Sequence, residues 1–313
     1  MLPRKPVTNH STSQAISSPP VSAKQETLHR PAGLSIGLVL LLSTLILGST
    51  FLVTQRTITL VRPFTFLTLR FSIGALTLAL IYHRRLARLS RFELLSGSLM
   101  GTILFSSYAT QTFGLQYTTT SMAGFLNGLY VPFVPLLSTL LLRRWPALGA
   151  TLGIALSFCG LVLLSLNEQF ALSFGPGELL LLISAVASAL HIVLISKYAP
   201  DADAINLSLV QIATMTLLSL LAIPIAREPF ALPGWPVWLS ALFLGMLANA
   251  FCLTVRNRVQ QFISSERATL AYALETVWTA LFGFLAGERL SLLAWIGCGC
   301  NRSEHLTAQQ ETR

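Results

Sequence analysis

The sequence predicts an all-α membrane protein built of two five-helix inverted repeats, about ten transmembrane helices with the tenth truncated. Three observations predict it. First, of 313 residues, 53% are hydrophobic and only 11% charged, against roughly 25% charged in an ordinary soluble domain. Second, the apolar residues gather in runs of about 20, the length that crosses a ~30 Å hydrocarbon core. Third, the second half of the chain echoes the first along its whole length. A mean hydropathy of +0.67 on 34.0 kDa leaves too few charges to cover a soluble surface. That excludes a cytosolic enzyme and a nucleic-acid binder, although the formal net charge is +9. The four cysteines provide no disulfide framework.

Residues 1–32 are rich in Ser, Thr and Pro and lack the apolar stretch of a signal peptide, which predicts a disordered, uncleaved cytoplasmic tail. Spans are expected at Leu34–Val53, Phe64–Tyr82, Leu94–Phe113, Ser121–Leu142, Ala147–Leu166, Glu178–Lys197, Leu207–Ala226, Val237–Val255 and Ala268–Ala286. Pro63, Pro146, Gly175-Pro176-Gly177 and Pro233-Gly234 punctuate the connections. A tenth run, Leu292–Cys300, stops too early to cross. Residues 33–167 make the first repeat, 176–300 the second, and 301–313 a polar tail.

Basic residues set the orientation. With the N-terminus inside, the inner segments hold Arg4, Lys5, Lys24, Arg30, Arg84, Arg85, Arg88, Arg91, Arg143, Arg144, Lys197, Arg256, Arg258 and Arg267. The outer loops hold Arg56, Arg62, Arg227 and Arg289. The expectation is a multi-pass protein of the cell (inner) membrane with its N-terminus in the cytoplasm.

The repeat is carried by position. Gly33-Leu34 falls on Gly177-Glu178, Gln116-Tyr117 on Gln261-Phe262, Ala123 on Ala268 and Arg144 on Arg289. Two homologous halves with five spans each insert in opposite senses, the arrangement that builds a midplane site in many secondary transporters.

Thr112-Phe113-Gly114-Leu115-Gln116-Tyr117-Thr118-Thr119, followed by Ala123 to Pro135, resembles the third-to-fourth helix signature of the EamA group in the drug/metabolite transporter superfamily. Arg70-Phe71, the stretch Ala268 to Glu275, and Gly287-Glu288-Arg289-Leu290-Ser291 are similar to further landmarks of that group. The resemblance covers roughly Leu34 to Cys300. It implies ten helices in two inverted repeats and carrier-type export or exchange of small metabolites or drugs by alternating access, with no enzyme activity. The sequence departs from the pattern at Leu47, where Trp is usual, and at Thr276, where Pro is usual; that absence removes a proline kink from the ninth helix. The third departure is the short tenth helix, which raises a second reading, a truncated and non-transporting membrane remnant, with a tail held on the outer side.

Ionisable groups at mid-span are expensive and are functional candidates by default. Arg70, His191 and Glu275 qualify. Arg70 is a candidate counter-charge for an anionic substrate or for Glu275. Glu275 is a candidate coupling or substrate-contacting carboxylate. Gln111, Asn127, Tyr130 and Asn249 are uncharged polar groups at similar depth. Under the repeat Tyr130 falls on Glu275 and Asn127 on Tyr272, each pair spaced i, i+3 on one helical face. The expected substrate-binding set is Arg70, Asn127, Tyr130, His191, Asn249 and Glu275. No catalytic residue, metal or cofactor is expected. Partners are membrane lipids and a small-molecule substrate, not nucleic acid, with a homodimer left open. Gly33-xxx-Gly37, Gly97-xxx-Gly101, Gly124-xxx-Gly128 and Gly149-xxx-Gly153 read as close helix–helix contacts.

Overall fold

A computed structural model describes residues 33–86, 89–142, 175–229 and 233–288. The expected span Ala147–Leu166, the short run Leu292–Cys300 and both tails lie outside the described residues. The chain divides into Met1–Gly37, of which only the helical turn from Gly33 is described, and a unit from Leu38 onward. Among the described residues every regular element is a helix.

The elements run α1 (Gly33–Thr57), α2 (Pro63–Ile81), a short α3 (His83–Leu86), α4 (Arg91–Gly114), α5 (Thr120–Gly128) and α6 (Tyr130–Leu142). They continue with α7 (Pro176–Tyr198), α8 (Ala204–Ile225), α9 (Trp235–Phe243), a π-helical stretch Leu244–Cys252, α10 (Leu253–Val259), α11 (Ser265–Tyr272) and α12 (Leu274–Leu285). Their starts are written in the sequence. Pro63 and Pro176 occupy first-turn positions, where the missing N–H costs nothing. Ser90 and Glu93 form a reciprocal capping box on α4. Asp203 Oδ1 accepts from Ile205 N and Asn206 N at the start of α8.

Among the described residues, seven stretches are long and apolar enough to cross a membrane: Gly37–Thr57, Pro63–Ile81, Thr120–Leu141, Pro176–Asp201, Ala204–Ile225, Trp235–Val259 and Ser265–Leu285. The chain is a multi-pass, all-helical membrane protein. The expected span Leu94–Phe113 is a 24-residue helix, α4, long enough but too polar to join the seven. Its small and polar residues Ser96, Gly97, Gly101, Ser107, Gln111 and Thr112 are buried because α4 packs between α7 and α8. Protein, not lipid, satisfies its polar face.

Contacts between helix ends sort into two layers. On one face, Gln55 Nε2 donates to Thr118 O at 2.7 Å. Glu228 accepts from Phe64 N and Thr65 N at 3.0 and 2.9 Å, and Glu288 from Thr120 N and Ser121 N at 2.7 and 2.9 Å. On the other face, Glu93 accepts from Asp203 N at 3.0 Å and from the Asn206 amide. There Gln261 Nε2 also donates to Ala199 O and Ala202 O, and Ser138 Oγ meets Ser265 Oγ at 3.0 Å. These layers make α1 and α7 run in opposite senses, as do α2 and α8, and α5–α6 and α11–α12.

The Gly124 and Gly128 face of α5 lies on α12. A Cβ on Gly128 would sit 2.6 Å from Thr276 Oγ1, and one on Gly124 would collide with Thr279 Cγ2. Gly97 and Gly101 bring α4 against Val210 and Gln211 of α8 in the same way. Among the described residues none lies within 4 Å of where a Cβ on Gly37 would stand, so no described helix is seen packed on the second glycine of Gly33-xxx-Gly37. Gly149-xxx-Gly153 lies outside the described residues.

The fourth and ninth spans are each two helices. α5 gives way to α6 at Leu129, and α11 to α12 at Ala273. Under the expected repeat Leu129 falls on Leu274, so the two breaks lie within one residue of corresponding positions. The ninth span therefore breaks without the proline that the family pattern would place at Thr276: its discontinuity does not need one.

Candidate functional site

A cavity opens between α1, α4, the α5–α6 break, α7, α10 and α12. Its wall includes Thr50, Ser107, Tyr108, Gln111, Asn127, Tyr130, Ser188, Arg256 and Glu275. It encloses about 30 Å³, room for a water or two. Drug-sized ligands need ~300–1,000 Å³, so this arrangement has no room for one.

One end of the cavity is charged. Arg256 Nη2 faces Glu275 Oε2 at 3.7 Å, with side chains 14% and 11% exposed. That is about 1 Å longer than a charge-assisted hydrogen bond. The Arg256 guanidinium also lies 4.6 Å over the Tyr272 ring. Tyr130 Oη, Tyr272 Oη and Glu275 Oε2 are buried without a hydrogen-bond partner. The breaks at Leu129 and Ala273 separate Asn127 from Tyr130 and Tyr272 from Glu275, yet Asn127, Tyr130 and Glu275 still face one space.

The other end is neutral. Ser107 Oγ meets Ser188 Oγ at 2.7 Å and Ser184 Oγ at 3.1 Å, and Ser184 Oγ donates to Asn127 Oδ1 at 3.2 Å. Gln111 and Thr50 complete this wall.

Arg70 lies apart from Glu275. Its Nη2 donates to Asn249 Oδ1 at 3.0 Å, and Asn249 Nδ2 donates back to Arg70 O at 3.3 Å. The guanidinium sits 4.8 Å over Tyr108 and 5.4 Å over Phe71. The π-helical stretch permits this by meeting α2 glycine to glycine: a Cβ on Gly74 would sit 2.9 Å from Gly245 O, and one on Gly245 2.7 Å from Arg70 O. Asn249 lines a smaller adjoining cavity that shares Leu47, Leu104, Tyr108 and Arg256 with the first. Of the two partners expected for Arg70, Glu275 is thus taken by Arg256 instead.

His191 is in a different network. Its Nε2 lies 2.8 Å from Gln211 Oε1, Gln211 Nε2 donates to Asn257 Oδ1, and Asn257 Nδ2 donates to Ser208 Oγ at 2.8 Å. This chain of donors ties α7, α8 and α10 together behind the cavity. No group of three metal-ligating side chains occurs among the described residues.

A profile described as the EamA-like transporter family matches residues 34–166 and again 175–300. The chain belongs to the EamA-like transporter family. Its membership places it among the drug/metabolite transporters and indicates a transporter, not an enzyme. An uncharacterized transporter of Archaeoglobus fulgidus is 29% identical over 243 residues, 78% of this chain and 75% of that one. The uncharacterized transporter YyaM of Bacillus subtilis is 22% identical over 274 residues, 84% of this chain and 90% of its own. A crystal structure aligns over 87% of this chain and 96% of its own, with a TM-score of 0.65 at 20% identity, a likeness of fold alone.

In this EamA-family chain, sequence reasoning missed Arg256. It lies just past an apolar run and reads as a topology-setting boundary charge. The overlooked signal was its spacing: Asn249, Cys252 and Arg256 fall at i, i+3, i+7, one helical face. Ser107 and Ser188 carry no such signal, because a serine in a membrane helix can as readily bond its own backbone.

Proposed function

We propose that this protein is a carrier moving small metabolites or drugs across the cell (inner) membrane by alternating access, with its N-terminus in the cytoplasm and export as the working direction. The observation that carries the reading is the Arg256–Glu275 pair, with Tyr130 and Asn127, facing a small cavity between the two halves. Intramembrane charges at a cavity mark a substrate or ion pathway. The opposed senses of corresponding helices support two five-helix inverted repeats, ten helices in all. Arg70, Asn127, Tyr130, Asn249 and Glu275, with Arg256, are the residues proposed to meet substrate or to shape its site. His191 belongs to the framework behind it.

Alternating access requires contacts between the halves to open on one face at a time. Glu288 on the α5 start and Ser138 on Ser265 are such contacts on opposite faces. Cysteine pairs replacing Ser121 and Glu288, or Ser138 and Ser265, test this in liposomes loaded with a labelled metabolite panel. Oxidation of either pair should stop flux, and reduction should restore it. Unimpeded flux through both oxidised variants would exclude the mechanism.

A further inference from the structure

We propose that the cavity takes a small hydrophilic organic anion, whose acidic group replaces Glu275 as the partner of Arg256. The inference rests on the carrier reading above and specifies its substrate.

The first support is charge. The apolar runs of the whole sequence contain one mid-span carboxylate, Glu275, while Arg70 lies within a run and Arg256 immediately follows one. Arg70 is held by an amide and two aromatic rings, and no carboxylate pairs with it among the described residues. The Arg70 guanidinium lies over the Tyr108 ring, and Tyr108 and Arg256 line both cavities together. With Glu275 ionised this region carries two positive charges and one negative. An uncompensated charge at that depth is costly and is met by a partner or a ligand. A bound anion offsets it; a bound cation increases the demand on the single carboxylate.

The second support is geometry. At 3.7 Å, Glu275 neutralises Arg256 without sealing its donors. The Arg256 guanidinium lies between Glu275 and the Tyr272 ring. Tyr130 Oη and Tyr272 Oη, 3% and 1% exposed by residue, stand beside the pair with hydroxyl donors unused. A carboxylate or phosphate oxygen could satisfy all three donors together; the single unpartnered Glu275 oxygen does not reach them. Glu275 is then an internal stand-in that holds Arg256 when substrate is absent and competes with it when present.

The third support is the far wall. Ser107, Gln111, Asn127 and Ser188 offer hydroxyls and amides, not an aromatic box or an apolar slot. They suit a substrate body carrying hydroxyl or carbonyl groups and do not suit a lipophilic cation.

The test uses the purified full chain in liposomes, with uptake of radiolabelled glycerate and malate as the acid probes. Choline and tetraphenylphosphonium serve as cations and glycerol as the neutral control. Uptake of an acid probe above protein-free liposomes, competed by the other acid and not by the cations, is the expected result. Arg256→Gln should lower kcat/KM for the acid about 30-fold or more, the cost of leaving a buried charge partner unmatched. Arg256→Lys should keep part of it. Glu275→Gln should lower KM for the acid severalfold, because the internal competitor is gone; a residue serving only structure would not tighten binding. Uptake of the cations alone, abolished by Glu275→Gln and retained by Arg256→Gln, would overturn the anion inference and leave the carrier reading standing. Uptake of none of the three classes by a monodisperse preparation would overturn both.

Discussion

Arg256 of α10 and Glu275 of α12 approach to 3.7 Å at one end of the cavity. The short connection 260–264 and α11 separate the two helices in sequence. Their pairing therefore fixes how the eighth and ninth spans meet at the site. Removing one partner strands the other. Arg256→Gln or Glu275→Gln alone should destabilise the protein in detergent, by about 3 kcal/mol for a buried pair and less for one with this residual exposure. The double variant should recover much of the loss. Thermal unfolding of the three variants checks it, and additive losses would mean the pair is not coupled.

Asn249 should matter through Arg70. Asn249→Ala leaves a buried guanidinium without its side-chain acceptor, at a cost of about 1.5–3 kcal/mol for a hydrogen bond to a charged group. Arg70→Lys should not substitute, because an ammonium lacks the planar face that lies over Tyr108. Thermal unfolding of both variants is the measurement. A change at Asn249 within about 0.5 kcal/mol would place the pair among incidental contacts.

The α5–α12 contact should tolerate no added methyl. Gly124→Ala places a carbon against Thr279, and overpacking costs about 1–3 kcal/mol. Thr279→Ser removes the nearest methyl and should return part of the stability in the double variant. Melting temperatures of the two singles and the double decide it.

Glu93 gives a pH signature on the face opposite Glu288. Burial raises its pKa, but hydrogen bonds from Ser90 N, Asp203 N, the Asn206 amide and the Ser90 hydroxyl outweigh that and hold the carboxyl below its ordinary value. A depressed folded pKa stabilises above the unfolded value and loses that contribution as pH falls through the folded one. Glu93→Gln should therefore flatten the acid limb of the stability–pH curve. An unchanged acid limb would mean these bonds do not form in the membrane.

The proposed side assignment rests on the distribution of basic residues. With the native cysteines replaced, a cysteine at Thr59 should react with a membrane-impermeant thiol reagent in intact cells. One at Asp201 should react only after lysis. Both positions are exposed. The reverse pattern would invert the protein.

The sequence by itself determined the membrane character, the placing of most helices and their starts. These depend on local quantities: apolar run length, proline at a first turn, a capping box. The described helices Gly33–Thr57, Pro63–Ile81, Pro176–Tyr198 and Ala204–Ile225 match the expected spans to within a few residues. Asn127, Tyr130 and Glu275 were legible as candidates because polar groups at mid-span are costly wherever they point. Only the tertiary structure decided who meets whom. Arg70 and Arg256 are chemically alike, and nothing local to either tells which one reaches Glu275. That depends on the π-helical stretch, which presents Asn249 to Arg70, and on α10, which carries Arg256 to the cavity. His191 has the same depth signal as Glu275, yet its partner Gln211 lies on a neighbouring helix behind the cavity. Depth is a property of position along one span, whereas direction depends on the rotation and packing of every span around it.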